Sequence, residues 1–261
     1  MQRKFLILIA LAVIVVVALI ASSLMSSTSG LSKFDNVLVP QSIVASLNVS
    51  NQLLSGVGIG AAGNFPKKIT APALTSNGKP QILYIGAEYC PYCAAERWPM
   101  IIALSRFGTF SNLHFMTSSS TDYAPSTPTF TFYNSSYQSS YIAFTPVETL
   151  TNKLVNGTYP PLQTLSGSQS NIENAFDSGG GIPFIDFANM SIVSGSTYAP
   201  TALQGMNWTQ IIAQFNNTNS TVSQSILGSA NLLTAQICKA TNNTPSSVCS
   251  QSYIKKIETF T

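Results

Sequence analysis

The feature that most restricts this chain is Cys90-Pro91-Tyr92-Cys93, set between the apolar segment Gln81-Ile82-Leu83-Tyr84-Ile85 and a run from Ala94 to about Arg106 that is closed by Gly108. The first segment predicts a buried strand and the second a helix, so both thiols fall at the turn between them. The first backbone N–H groups of a helix have no intrahelical acceptor, and the dipole is positive there. A thiolate at Cys90 is therefore favoured. Pro91 suits the first helical turn, where no donor is needed, and Cys93, one turn deeper, is shielded. The pair can close a small disulfide ring in which Cys90 attacks and Cys93 resolves. A C-x-x-C is also half of a zinc site, but Cys238 and Cys249 are separated by ten residues and offer no second pair at ligand spacing. Redox chemistry is the expectation, with no metal and no cofactor.

Hydrophobic residues make up 45% of the 261 and charged ones 8%, against about 25% charged in ordinary globular chains. That balance excludes intrinsic disorder, which needs low hydrophobicity and high net charge. The missing charge is replaced by 36 Ser, 24 Thr and 19 Asn, a surface that is wet but not ionic. With a net charge of +3 and no basic stretch beyond pairs such as Lys67-Lys68, the chain has no surface for tracking phosphates, and nucleic acid is excluded as a partner. His114 is the single histidine, which rules out two-histidine metal motifs.

Phe5 to Ala21 is an unbroken apolar run of 17 residues after Arg3-Lys4. It is longer than most signal-peptide cores and just long enough to span a bilayer, so residues 1–25 are a signal anchor or a signal peptide. Either way Arg3 and Lys4 hold the N-terminus inside, which places the bulk of the chain outside a single-pass cell membrane. Asn-x-Ser/Thr sequons at Asn48, Asn134, Asn156, Asn189, Asn207, Asn216, Asn219 and Asn242 are candidate glycosylation sites for an exported chain. Two local cysteine pairs suit an oxidising exterior. Cys238 and Cys249 are expected to form a disulfide tying the last helix to the C-terminal tail, which chain-entropy arguments value at about 3 kcal/mol.

Residues 26–66 read as a Ser/Gly-rich tether and N-terminal extension, with a helical candidate from Gln41 to Leu54. Gly58-Ile59-Gly60-Ala61-Ala62-Gly63 matches a dinucleotide fingerprint by letter, but Asn64-Phe65-Pro66 follows where a helix should open, so it is a packing or flexible glycine loop. Asn77-Gly78 marks a tight turn before the Gln81 strand. Leu113 to Met116 predicts a strand, and the aromatic alternation through residues 129–147 a hairpin. A helix is expected near Asn171 to Phe176, a strand at Phe184 to Ala188, and helices at Trp208 to Phe215 and Val222 to Lys239.

Strand, C-x-x-C, helix and, much later, Gly181-Ile182-Pro183 entering a strand resemble the thioredoxin superfamily. Cys90-Pro91-Tyr92-Cys93 is the motif of dithiol glutaredoxins. The resemblance implies an α/β fold, a thioredoxin-like mixed sheet over residues 67–261 with an insertion at about 118–168 and added C-terminal helices. It also implies that Pro183 is a cis-proline whose segment, with Ile182, lies against the active disulfide and pairs with substrate, near Tyr92. The stretches Asn77-Gly78-Lys79-Pro80 through Glu96-Arg97-Trp98, and Ala235-Gln236-Ile237-Cys238-Lys239 to Val248-Cys249, are similar to domain-of-unknown-function family 929, which is mostly archaeal, over about residues 40–250. One departure stands out. Thioredoxins carry a buried acid six residues before the first cysteine, and Tyr84 occupies that position here. Glu88 or Glu96 is a possible substitute, although both read as solvated helix-flank charges. Arg97 is expected to pair with one of them or to steady a thiolate, Trp98 to pack, Pro99 to kink the helix and His114 to be an ordinary strand residue.

The expected function is that of an extracytoplasmic thiol-disulfide oxidoreductase, an oxidase or isomerase of exported proteins. Its partners would be exported protein thiols or disulfides and a membrane redox protein. The rival reading is a glycosylated, non-enzymatic surface protein with structural disulfides.

Overall fold

The computed structural model describes residues 30–261; the segment read as signal anchor or signal peptide lies outside the described residues. Among the described residues no helix is long and apolar enough to cross a membrane. The described residues form ten strands, β1 (Lys67–Lys68), β2 (Thr75–Ser76), β3 (Lys79–Gly86), β4 (Gly108–Ser111), β5 (His114–Thr117), β6 (Pro128–Thr131), β7 (Ser136–Ser139), β8 (Ala143–Glu148), β9 (Phe184–Phe187) and β10 (Ser191–Ser194). Their α-helices are α1 (Gln41–Ser46), α2 (Asn51–Val57), α3 (Pro91–Ser105), α4 (Gly167–Phe176), α5 (Trp208–Gln214), α6 (Thr221–Ala240), α7 (Ser246–Cys249) and α8 (Ser252–Glu258).

The central sheet is mixed. β3 lies between β8, which runs parallel to it, and β9, which is antiparallel; β10 and then β1 extend the β9 side. β2 pairs with the start of β3 through Asn77-Gly78, where both residues have positive φ, as the tight turn requires. The buried run Ile82 to Ile85 shows why a continuous apolar stretch, rather than alternation, marks this strand. Ile82 and Tyr84 face the main core under α3 and α6, while Leu83 and Ile85 face a second cluster with Ile172 and Phe176 of α4. Helices cover both faces.

Several expectations need correction. Gln41 to Leu54 is not one helix but two, because the chain breaks after Ser46 and restarts at Ser50, whose hydroxyl caps α2. From Leu31 onward the tether reading also fails. Leu31 is 2% exposed, and Val39, Leu47, Leu54 and Val57 join the main core. The glycine loop is a contact surface rather than a phosphate cradle: a Cβ on Gly60 would lie 2.2 Å from the Gln224 carbonyl of α6, and one on Gly228 2.3 Å from that of Ile59.

The hairpin expected within residues 129–147 does not form, because the strands of that stretch pair with earlier parts of the chain. β5 pairs with β6 and β4 with β7, giving one antiparallel ribbon of 108–117 against 128–139, with a change of register at Asn112 and Asn134, both at positive φ. β8 belongs to the central sheet, and the ribbon lies between α3 and β8 in the chain. The alternation revealed strands but not their partners, since aromatic faces at Phe110, Phe115, Phe130 and Phe132 all enter the same core.

At the other end Cys238 and Cys249 form the expected disulfide, joining α6 to α7. Their sulfurs are therefore not available to complete a zinc site with Cys90 and Cys93.

Candidate functional site

Cys90 is the N-cap of α3 and Pro91 its first residue. Cys90 Sγ accepts the N–H of Cys93 at 3.3 Å, and the Cys90 thiol donates to the Ile182 carbonyl at 3.8 Å. The Ile182–Pro183 peptide is cis, in the segment that enters β9. Cys90 is 5% exposed, Cys93 is fully buried, and both are free thiols. The hydrogen bond with the Cys93 side chain holds the Cys90 thiol below its usual pKa, assisted by the backbone N–H of Cys93 and by the Arg97 charge, while burial opposes the shift. Burial pushes the Cys93 thiol well up. The two sulfurs therefore differ in proton affinity, Cys90 being the more readily ionised.

α3 is held in place despite an interior proline. Pro99 has no N–H to give the Ala95 carbonyl, and Tyr198 Oη fills that gap at 2.8 Å. Thr129 Oγ1 donates to the Ala94 carbonyl at 2.7 Å, and Trp98 Nε1 to that of Pro128 at 2.9 Å, so the ribbon clamps the same helix. Trp98 is thus a packing residue, as expected.

Tyr89 and Tyr92 flank Cys90-Pro91 in the chain, and each stacks on a second tyrosine. Tyr92, 41% exposed, stacks on Tyr123 from the ribbon tip at 5.9 Å between ring centres. Tyr89 stacks on Tyr159 at 4.2 Å, and Tyr159 Oη donates to Ser119 Oγ at 2.6 Å. Sequence reasoning singled out Tyr92 alone. The other three lie in loops whose convergence no local pattern reports.

The charges differ most from expectation. Glu88 and Glu96 are buried, not solvated. Glu96 accepts the N–H and the hydroxyl of Thr197 at 2.7 and 2.8 Å on one oxygen, its other oxygen has no partner, and burial raises its pKa to about 8. Glu88 accepts the Thr131 hydroxyl at 2.7 Å and is raised by burial to about 7. Arg97 pairs with neither. It forms a two-pronged ion pair with Glu148 at the end of β8, Nε to Oε1 at 2.8 Å and Nη2 to Oε2 at 2.6 Å, and Nη2 also donates to the Ala87 carbonyl at 2.8 Å. Both side chains are completely buried. Glu148 was missed although a signal existed: it is the one acid ending an apolar parallel strand, and functional groups of such sheets gather beyond strand C-termini. His114 lines a cavity of about 420 Å³ together with Glu88, Tyr133, Asn152 and Lys153.

Of the sequon asparagines, Asn48, Asn134, Asn156, Asn216, Asn219 and Asn242 are exposed and Asn189 is half-buried. Asn207 is 2% exposed and its side chain caps α5, so a folded chain does not present it.

Residues 66–164 match the family model described as Domain of unknown function (DUF929). The match spans β1 to the loop before α4, including both thiols, the ribbon and Glu148, but stops short of Pro183 and of the Cys238–Cys249 end. No curated protein and no solved structure matches the chain.

Proposed function

We propose that the protein is an extracytoplasmic, membrane-tethered thiol-disulfide oxidoreductase of thioredoxin-like architecture that oxidises or isomerises exported proteins through Cys90 and Cys93. The observation that carries this reading is the asymmetry of the pair. One sulfur caps a helix beside a cis-proline segment, and the other is sealed one turn below it. The sheet order around β3, with β8 parallel on one side and β9 then β10 antiparallel on the other, supports the thioredoxin-like assignment. In the oxidising direction a client thiolate attacks Cys90 Sγ of the Cys90–Cys93 disulfide. A client–Cys90 bond forms as the internal bond breaks, and the electron pair leaves on Cys93. A second client thiolate then attacks the client sulfur, a client disulfide forms and Cys90 departs as thiolate. The client loses two electrons and the protein gains them. A membrane redox partner would take those electrons onward.

Cys93→Ala cannot form the internal disulfide, but its Cys90 thiolate can still attack a client disulfide, as in isomerisation, with one client cysteine leaving as thiolate. Lacking the resolving thiol, it is expected to leave exported proteins disulfide-linked to Cys90. These adducts should appear as reducible high-mass species on non-reducing gels and disappear when Cys90 is also replaced. If Cys93→Ala yields no such species in the exporting cell, the second reading gains: a glycosylated, non-enzymatic surface protein, favoured by the six exposed sequon asparagines.

A further inference from the structure

Among the described residues nine large apolar or aromatic side chains are exposed, and four of them, Val37, Leu38, Leu154 and Val155, gather round one cavity. The segment from Asn36 to Val39 runs beside β5: the Asn36 N–H donates to the Phe115 carbonyl, the Phe115 N–H to that of Val37, and Leu38 bridges His114. The second segment is a small hairpin beyond the end of β8. In it Leu150 pairs with Pro161 and Val155 with Thr158 across Asn156-Gly157, both at positive φ. Asn152 at its base ties it to the first segment, donating to Asp35 at 2.7 Å and to the Thr117 carbonyl at 3.0 Å. Asn36, His114, Lys153 and Val155 all line the cavity of about 420 Å³. The exposed charges on residues 31–38 and 150–158 are Lys33 and Lys153, both positive, while Asp35 is half-buried and held by Thr117 and Asn152.

The way the chain enters the domain decides what this face meets. Leu31 is already packed in the main core. Counted from Ala21, the end of the apolar run, nine residues, 22–30, precede it, and they reach at most roughly 30 Å. A domain of this size is about 45 Å across. The entry point therefore cannot swing to the side away from the bilayer, and residues 31–38 stay near the lipid.

We propose that Val37, Leu38, Leu154 and Val155 dip into the surface of the bilayer that holds the N-terminal segment, with Lys33 and Lys153 among its head groups. This rests on the membrane-tethered reading above and adds an orientation to it. Apolar tips flanked by lysines are the pattern of an interfacial contact: the side chains enter the acyl boundary, and the ammonium groups reach up to lipid phosphates. Tyr159 of the same hairpin stacks on Tyr89, the residue before Cys90, so the docked hairpin links the bilayer to the cysteine turn. The exposed pair Phe65 and Phe260, in ring contact at 6.2 Å, stands at the β1 edge of the sheet, opposite β8, and faces water. Asn156 sits at the tip of the hairpin, so this orientation leaves no place for a glycan there, although the sequon is exposed.

The test uses the full chain in nanodiscs of phosphatidylcholine and phosphatidylglycerol, with and without bromine on the acyl chains. Leu38→Trp, Leu154→Trp and Phe260→Trp each place a reporter at an exposed position, while Trp98 and Trp208 are buried in the core and give a constant background. Brominated lipid is expected to quench most of the added emission at positions 38 and 154 and none at 260. Peptide mapping of the exported wild type should find Asn156 without a glycan. Tryptophans at 38 and 154 that stay unquenched while the chain remains in the disc overturn the lipid contact, leave the tether in place and assign the patch to a protein partner. A glycan on Asn156 of membrane-bound protein also overturns the contact. A chain cut near Leu24 and released into the medium overturns tether and contact together.

Discussion

Arg97→Met is expected to lower folding stability by about 3–5 kcal/mol, because it strands the Glu148 carboxylate in the core. The two side chains are fully buried and joined at 2.6 and 2.8 Å, so no water is at hand to replace the lost partner. Glu148 would retain the Phe132 N–H at 3.4 Å, too long to hold a bare charge. Replacing both residues with apolar ones, Arg97→Met with Glu148→Leu, should recover most of the loss, since a buried pair is often matched by good hydrophobic packing. Urea denaturation of the four proteins in the cycle measures this. A single-variant loss below about 1 kcal/mol would place the pair with solvent-screened surface bridges and contradict its role as the anchor of the site. The double variant should fold yet exchange disulfides poorly, which separates what the pair does for stability from what Arg97 does for the thiols.

Glu96→Gln should change how stability responds to pH. A fully buried carboxyl with a pKa of about 8 is neutral in the folded protein at pH values where the unfolded chain, at 4.5, has already released its proton. The folded state then binds more protons, so stability falls as pH rises between those two values, by at most about 1.4 kcal/mol per pH unit. Below 4.5 the contribution is complete, and above 8 it is gone. Glutamine copies the protonated acid: its carbonyl can accept both Thr197 donors, and it never ionises. Glu96→Gln should therefore match wild type near pH 4.5 and be the more stable protein at pH 8.5. Glu88, raised to about 7, and Asp186, raised by burial to about 6, have the same sign and leave a residual slope over a narrower window. Wild-type denaturation curves that coincide at pH 5 and pH 8.5 would contradict the assignment.

What the sequence revealed is what neighbouring residues decide among themselves. The helix-capping thiol, Pro91 at the first helical position, the Asn77-Gly78 turn and the Cys238–Cys249 bridge all depend on spans of a dozen residues or fewer, and each is found in the structure. The site's electrostatics are long-range. Arg97 and Glu148 are 51 residues apart, and Glu96 reaches Thr197 across 101. A charged residue beside a helix reads as solvated because most such residues are. Nothing local in Glu88 or Glu96 announces that the ribbon and the 197–198 segment will cover them. The same limit explains the ribbon itself, since alternation specifies a face but not a partner strand. Tyr84 is the instructive case. Its departure from the acid that thioredoxins carry was plain in the sequence, but that it meets a guanidinium with an unpaired nitrogen was not.

The central claim is that Cys90 and Cys93 form a redox couple poised to accept electrons. The hydrogen bond with the Cys93 side chain, then the Cys93 N–H at the helix cap and the Arg97 charge, favour the reduced, thiolate-bearing form against the cost of burial. That preference raises the reduction potential. The most direct test is equilibration of the purified domain with glutathione buffers, reading the Cys90–Cys93 disulfide by mass after acid quenching and alkylation. The predicted potential lies at roughly −120 to −230 mV, suited to an oxidase or isomerase. A potential near −270 mV or below, at the level of a strong reductant, or thiols that form no internal disulfide at any glutathione ratio, would contradict it.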